Sequence, residues 1–228
     1  MSLGRKVLAE FIGTALLLAC VVGSGVMGVN LAGGNAAIAL LANAGATAGI
    51  LYVLIVVLGP VSGAHFNPVV TLVMRWRGEL RTQEALAYMV VQIVAAVAGV
   101  LLAHAMFDLP LLQPGTRIRT GDGQWLSEGV ATFGLVLTIL LGLRHRPAAI
   151  PALVAGYIFA AYWFTASTSF ANPAVTLARA LTQTFAGIRP DDVAGFVLAQ
   201  FVGAVSALAV ARAFVAHPQP PPGRERTD

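Results

Sequence analysis

Asn67-Pro68-Val69-Val70-Thr71-Leu72 and Asn172-Pro173-Ala174-Val175-Thr176-Leu177 are the two stretches that decide how this chain folds. Each sets an Asn-Pro pair at the head of a short apolar run. Proline suits the first position of a helix, where its missing N–H has no intrahelical partner to lose. The preceding Asn can then cap that helix and keep its carboxamide available. Both runs are too short to cross a bilayer, which demands about 20 apolar residues, so each reads as a half-span. Irregular backbone at membrane depth is tolerated only where it is buried in protein or lines a polar cavity. Two such half-helices in one membrane chain suggest a pore.

The remainder of the chain supplies the membrane. Its 228 residues are 57% hydrophobic and 11% charged, with a mean hydropathy of +0.80. Long apolar stretches run over about 6–28, 35–59, 83–106, 127–143, 148–167 and 193–215, each long enough to be a span of roughly 20 residues. The net charge of +4 and a pI near 9.8 invite a nucleic-acid reading, but placement opposes it. Arg5, Lys6, Arg75, Arg77, Arg81, Arg144, Arg146, Arg212, Arg224 and Arg226 fall on one set of loops and ends. The opposite loops hold Arg117, Arg119, Arg189 and Arg179. By the positive-inside rule this puts both termini in the cytoplasm, with a bilayer rather than a nucleic acid as the partner. The membrane is then of the bacterial inner (plasma) type.

Cys20 is the only cysteine, which excludes an internal disulfide framework and a multi-cysteine metal site. Leu17-Leu18-Ala19-Cys20 looks like a lipoprotein cleavage box. Cleavage there would delete a segment that has a counterpart later in the chain, so a small side chain packed in the first span is the better reading. No cofactor or metal is expected. The chain shows no Ser-His-Asp grouping, no Gly-rich phosphate loop after a strand and no redox cysteine pair, so it does not read as an enzyme.

Three stretches recur in order. Glu10-Phe11-Ile12-Gly13-Thr14 matches Glu128-Gly129-Val130-Ala131-Thr132. Pro68 to Leu72 matches Pro173 to Leu177, and Gln92 to Val97 matches Gln200 to Val205. With three spans per unit, the second unit enters the membrane from the opposite side, which defines an inverted repeat whose shared site lies near the midplane. Asn67 and Asn172 then meet halfway through the bilayer. The predicted class is an all-α membrane protein with six transmembrane helices and two re-entrant half-helices. Its single channel domain covers 1–216, with repeat one at about 6–106 and repeat two at about 127–215. Pro60 and Arg144–Pro147 punctuate spans, loop 107–126 joins the units, and the Pro-rich tail 217–228 is expected to be a disordered cytoplasmic segment. Glycines within spans allow close helix approach.

Glu10 and Glu128 are the carboxylates well inside spans, at equivalent repeat positions. They could form an ion or proton relay. Alternatively, each accepts hydrogen bonds from the N–H groups of a re-entrant loop, which lipid cannot satisfy; this reading is preferred. Gln92 and Gln200 fit the same bracing purpose. His65 has no clustered ligating partners, so it reads as a histidine at the pore mouth or against the loop. His104, His145 and His217 read as peripheral.

Residues 9–22, 62–72, 127–138 and 172–177 together resemble the major intrinsic protein family, the aquaporins and glycerol facilitators. Ala9-Glu10-Phe11-Ile12-Gly13-Thr14 and Ser62-Gly63-Ala64-His65-Phe66-Asn67-Pro68 are the strongest matches, and the likeness extends over about 6–215. The resemblance implies one pore per chain, a homotetramer, and Asn67 and Asn172 donating hydrogen bonds to solute oxygens in single file. Val69 stands where the family usually has Ala. At the third position after the second Asn, where most members place an arginine in the narrowest constriction, this chain has Val175. Arg179 follows four residues later and, at one helical turn's distance, is not expected to take that place.

Carrying the constriction across by ungapped counting gives Thr47, Ala160, Ser169 and Val175. Such a filter is expected to be wide, uncharged and more apolar than that of a water-selective member. Cations and protons would be held back by dehydration and by the positive ends of the half-helices, less strictly than with the arginine present. The resemblance to arginine-less bacterial members implies a passive channel for water, glycerol and metalloid hydroxides such as arsenite and antimonite, including methylated trivalent arsenic. The alternatives are an ordinary water and glycerol channel, an ion-coupled secondary transporter, or a scaffold without transport.

Overall fold

The computed structural model describes residues 1–215, and their regular structure is all helix. The expected tail 217–228 lies outside the described residues. The elements are α1 (Leu3–Leu31), α2 (Ala36–Ser62), α3 (Pro68–Trp76), α4 (Thr82–Met106), α5 (Asp122–His145), α6 (Ile150–Phe164), α7 (Pro173–Arg179) and α8 (Val193–Val215). Short 3-10 turns at Pro147–Ala149 and Pro190–Asp192 lead into α6 and α8. Among the described residues, six helices are long and apolar enough to cross a membrane, and α3 and α7 are the two half-helices.

The surface is apolar and part of the interior is polar, the reverse of a water-soluble domain. Leu8, Ile12 and Leu16 on α1, Val53, Val56 and Val57 on α2, and Leu198, Val202 and Val205 on α8 are exposed, while Glu10, Gln92, Glu128 and Gln200 are fully buried. Lipid tails accept such side chains without penalty and leave buried polar groups to find partners within the protein.

The two repeats show the same packing. α1 lies along α4 and α5 along α8, while α3 contacts α8 and α7 contacts α4, so each half-helix also rests on a helix of the other repeat. α2 and α6 close the remaining seam between repeats. Small residues set the close approaches. A Cβ on Gly99 of α4 would strike the Ala15 carbonyl of α1, and one on Gly203 of α8 would strike the Gly129 carbonyl of α5. Close backbone contact replaces the hydrophobic drive that helices lack in lipid.

Several boundaries differ from expectation. α2 continues through Pro60 to Ser62 before Gly63 ends it in a left-handed conformation (φ 92°). The helix loses one ladder bond there, because Pro60 has no N–H to give the Val56 carbonyl. Its last turn is tied by Tyr88 Oη, which donates to the Ser62 carbonyl, and by Ser62 Oγ, which donates to Glu10. The fifth span stops at Phe164 rather than 167, because Thr165 turns extended and opens the second re-entrant loop. The connecting loop is shorter than 107–126, since α5 begins at Asp122. That loop is tied down: Gly115 N donates to the Ala180 carbonyl and Arg189 N to the Arg117 carbonyl, at 2.8 Å each.

Candidate pore and its constriction

The loops that feed the half-helices have strained backbones. Ala64 and Phe66 in the first, and Thr168, Ser169 and Ala171 in the second, have φ between 48° and 60°, a region that costs a residue other than glycine on the order of 1–3 kcal/mol. Such a backbone leaves N–H groups without helical partners, and carboxylates accept them. Glu10 Oε1 accepts from Ser62 Oγ (2.7 Å) and His65 N (2.9 Å), and its Oε2 accepts from Phe66 N (2.7 Å) and Gln92 Nε2 (2.8 Å). In the second repeat Glu128 accepts from Phe170 N, Ala171 N and Gln200 Nε2 at 2.7–2.9 Å. Gln92 and Gln200 each donate also to a half-helix threonine, Thr71 and Thr176. Each carboxylate, its glutamine and its loop thus form one unit, and a Cβ on Gly13 would overlap the Phe66 ring that closes the first unit.

At the tips, Asn67 Oδ1 accepts from Val69 N (3.0 Å), and Asn172 Oδ1 from Ala174 N (3.0 Å) and Val175 N (3.3 Å). The amide nitrogens cross between repeats: Asn67 Nδ2 donates to the Ala171 carbonyl and Asn172 Nδ2 to the Phe66 carbonyl, both at 2.8 Å. Each carboxamide is therefore held at two points. A primary amide has two N–H bonds, so one remains on each. Both residues line the same cavity.

That cavity encloses about 220 Å³ and reaches from Glu79, beyond the C-terminus of α3, past the Asn67–Asn172 pair to Arg179 at the end of α7. Its walls are largely aliphatic, among them Leu17, Val21, Leu51, Ile139 and Val154. Polar groups enter at His65, Asn67, Thr47, Tyr162, Ser169 and Asn172. His65 Nδ1 lies 3.1 Å from Thr71 Oγ1, with its ring edge-on to Tyr88.

Thr47, Ser169 and Val175 line the cavity, but Ala160 does not: its side chain is exposed on the outer face of α6. Ile158 and Tyr162 face inward instead, four residues apart on one helical face. Ala160 falls between them, about 200° around the helix from Ile158, so counting without a gap selected the wrong face. Tyr162 Oη lies 3.3 Å from Thr47 Oγ1, and the α6 wall is an aromatic hydroxyl rather than a methyl group.

The expectation of an uncharged constriction also needs correction. Arg179 is buried, lines the cavity, and stacks its guanidinium on Phe170 with Cζ 3.4 Å from the ring centroid, while its Nε donates to the Ala186 carbonyl. It reaches back because helical side chains lean toward the N-terminus and cover the preceding turn. That turn holds Val175. Arg119, from the connecting loop, sits 4.8 Å from the same ring and donates to the Gly187 and Ser167 carbonyls at 2.9 Å. Its guanidinium pKa falls well below the usual range, first from burial and then from the neighbouring Arg179 and Arg117 charges.

Tyr162 and Arg119 were not legible as site residues. The hydroxyl of a tyrosine amid apolar helix residues, which needs a partner when buried, was the one available signal for Tyr162. His104, expected at the periphery, is buried between the Leu111 carbonyl and Thr182 Oγ1, at 2.8 Å from each. Cys20 is half-buried in α1 with Sγ 3.4 Å from the Ala46 carbonyl.

Comparison with known proteins agrees with this architecture. The family model described as major intrinsic protein matches residues 1–165. The chain is 58% identical over 210 residues to the aquaglyceroporin AqpS of Rhizobium meliloti (strain 1021), covering 92% of this chain and 90% of that protein. It is 28% identical over 143 residues to the glycerol uptake facilitator protein of Bacillus subtilis (strain 168), covering 56% and 52%. The X-ray structure of the aquaglyceroporin from Plasmodium falciparum superposes with a TM-score of 0.74 at 16% identity, over 94% of this chain and 98% of that one, a likeness of fold. The chain belongs to the major intrinsic protein family, whose members are passive membrane channels and not enzymes.

Proposed function

We propose that this chain conducts small neutral solutes passively: water, glycerol, and metalloid hydroxides such as arsenous and antimonous acid, with methylated trivalent arsenic in the same class. The observation that carries the reading is a cavity past both Asn tips whose walls are aliphatic apart from a few polar groups. A solute exchanges its hydration for these polar groups while the aliphatic walls offer ions no substitute for water. Asn67 and Asn172 present their remaining N–H groups to solute oxygens at mid-passage. Glu10, Glu128, Gln92 and Gln200 hold the loops, since the donors around both carboxylates are loop N–H groups, the two glutamines and Ser62 at the end of α2. His65 lies on the approach from the terminal face.

The metalloid part of the reading is supported by Val175 in place of the arginine and by the Thr47, Tyr162 and Ser169 hydroxyls, which suit a trihydroxide. The similarity to an aquaglyceroporin supports glycerol. The protein is read as one of a bacterial plasma membrane with both termini cytoplasmic, which the gathering of Arg77, Arg144 and Arg212 around one pocket supports. It is assigned as a homotetramer with one pore per chain. An ion-coupled transporter is disfavoured, since neither intramembrane carboxylate has an oxygen left without a donor.

Stopped-flow light scattering on proteoliposomes tests the reading with water, glycerol, urea and arsenous acid. Non-saturating flux of each, without an ion gradient, is expected. Flux that saturates at low concentration and needs a gradient would refute it.

A further inference from the structure

Arg179 is the one arginine or lysine lining the cavity among the described residues, and no carboxylate lies within ion-pairing distance of it. Its Nε is used by Ala186 and its face by Phe170, but Nη1 is buried with no hydrogen-bond partner. The Ser169 hydroxyl is likewise buried and unpartnered. Several buried polar atoms lack partners, and these two are the ones whose residues line the cavity. Ser169 immediately precedes Phe170, the ring under the guanidinium, so both polar groups flank one aromatic platform. A buried N–H or O–H without an acceptor is costly, and an oxygen of a solute passing through the cavity can supply one.

We propose that Arg179 is the specificity-determining charge of this constriction. From one turn beyond Val175, its Nη1 and the Ser169 hydroxyl form a two-point seat for the hydroxyl or carbonyl oxygens of neutral solutes, while the fixed charge turns cations back. Val175 leaves room at the level where a side chain would block the path, and the charge acts from a recess beside it. Selectivity for size and selectivity for charge are thus assigned to different turns of α7. This deepens the channel reading and rests on it.

The test uses the full-length protein in liposomes as wild type, Arg179→Met, Arg179→Lys and Ser169→Ala. Water and glycerol permeabilities are read by light scattering, and proton leak by an entrapped pH dye under an imposed potential. Wild type conducting neither water nor glycerol would defeat the channel reading itself and is scored separately. If wild type conducts, Arg179→Met is expected to raise proton leak at least tenfold, the scale of a unit charge within about 10 Å of the path at an effective dielectric of about 20. Arg179→Lys is expected to keep the leak low, because charge rather than shape repels cations, yet to lose the seat that Nη1 provides. Ser169→Ala is expected to lower the glycerol-to-water ratio severalfold with no change in leak. Should Arg179→Met fail to assemble, Arg179→Lys and Ser169→Ala decide the matter through that ratio. A conducting Arg179→Met protein with wild-type leak overturns the proposal, as do unchanged ratios in the other two.

Discussion

Replacing Glu10 by Gln preserves the shape of the side chain and removes one acceptor oxygen from a site where four donors converge: Ser62 Oγ, His65 N, Phe66 N and Gln92 Nε2. Whichever way the new amide points, two donors meet an N–H₂ group instead of an oxygen. Hydrogen bonds to a charged acceptor are worth about 1.5–3 kcal/mol each, so the loss is about 3–6 kcal/mol. That is a large part of the roughly 5–15 kcal/mol by which proteins are stable. For a chain of this size about 2–4 °C is lost per kcal/mol, which puts the fall in melting temperature at about 6 °C or more in detergent. Water flux per assembled protein should fall with it, because the first loop no longer holds Asn67 in place. Glu128→Gln should do less, since three donors rather than four surround Glu128. If Glu10→Gln melts with wild type and loses only flux, Glu10 is a relay and the bracing argument is wrong.

Three further outcomes are expected. Val175→Arg places a second guanidinium one turn from Arg179 and should cut the glycerol-to-water permeability ratio about tenfold, about 1.4 kcal/mol in barrier; equal loss of both solutes, with normal assembly, would remove Val175 from the constriction. Ala160→Leu should leave every permeability ratio unchanged, because its side chain faces outward, whereas Thr47→Leu should lower glycerol flux in the same stopped-flow assay. Gly203→Leu forces α8 off the Gly129 carbonyl and should lower stability by about 1–3 kcal/mol or more, read as melting temperature, while Gly156→Ala, with open space around it, should be silent.

Much of this molecule could be read from the order of its residues. Apolar run lengths near the bilayer thickness mark the spans, and an Asn-Pro pair heading a run too short to cross marks a half-helix; both are local signals. Three matched stretches with an odd number of spans between them require an inverted repeat, since chain direction through a membrane is a matter of parity. Glu10 and Glu128 stood out because a carboxylate in lipid must have donors, and the re-entrant loops were the available source. Side-chain direction around a helix and reach between segments are different in kind. Whether Ala160 or Tyr162 faces inward depends on where α6 ends and how it rotates against α2, which no local pattern in a uniformly apolar helix records. Arg179 counted as a loop charge in the sequence. Only the packed structure brings it over Phe170, because that contact joins a side chain leaning back along α7 to a loop and to α8, and Arg119 reaches the same ring from a connection some sixty residues earlier in the chain.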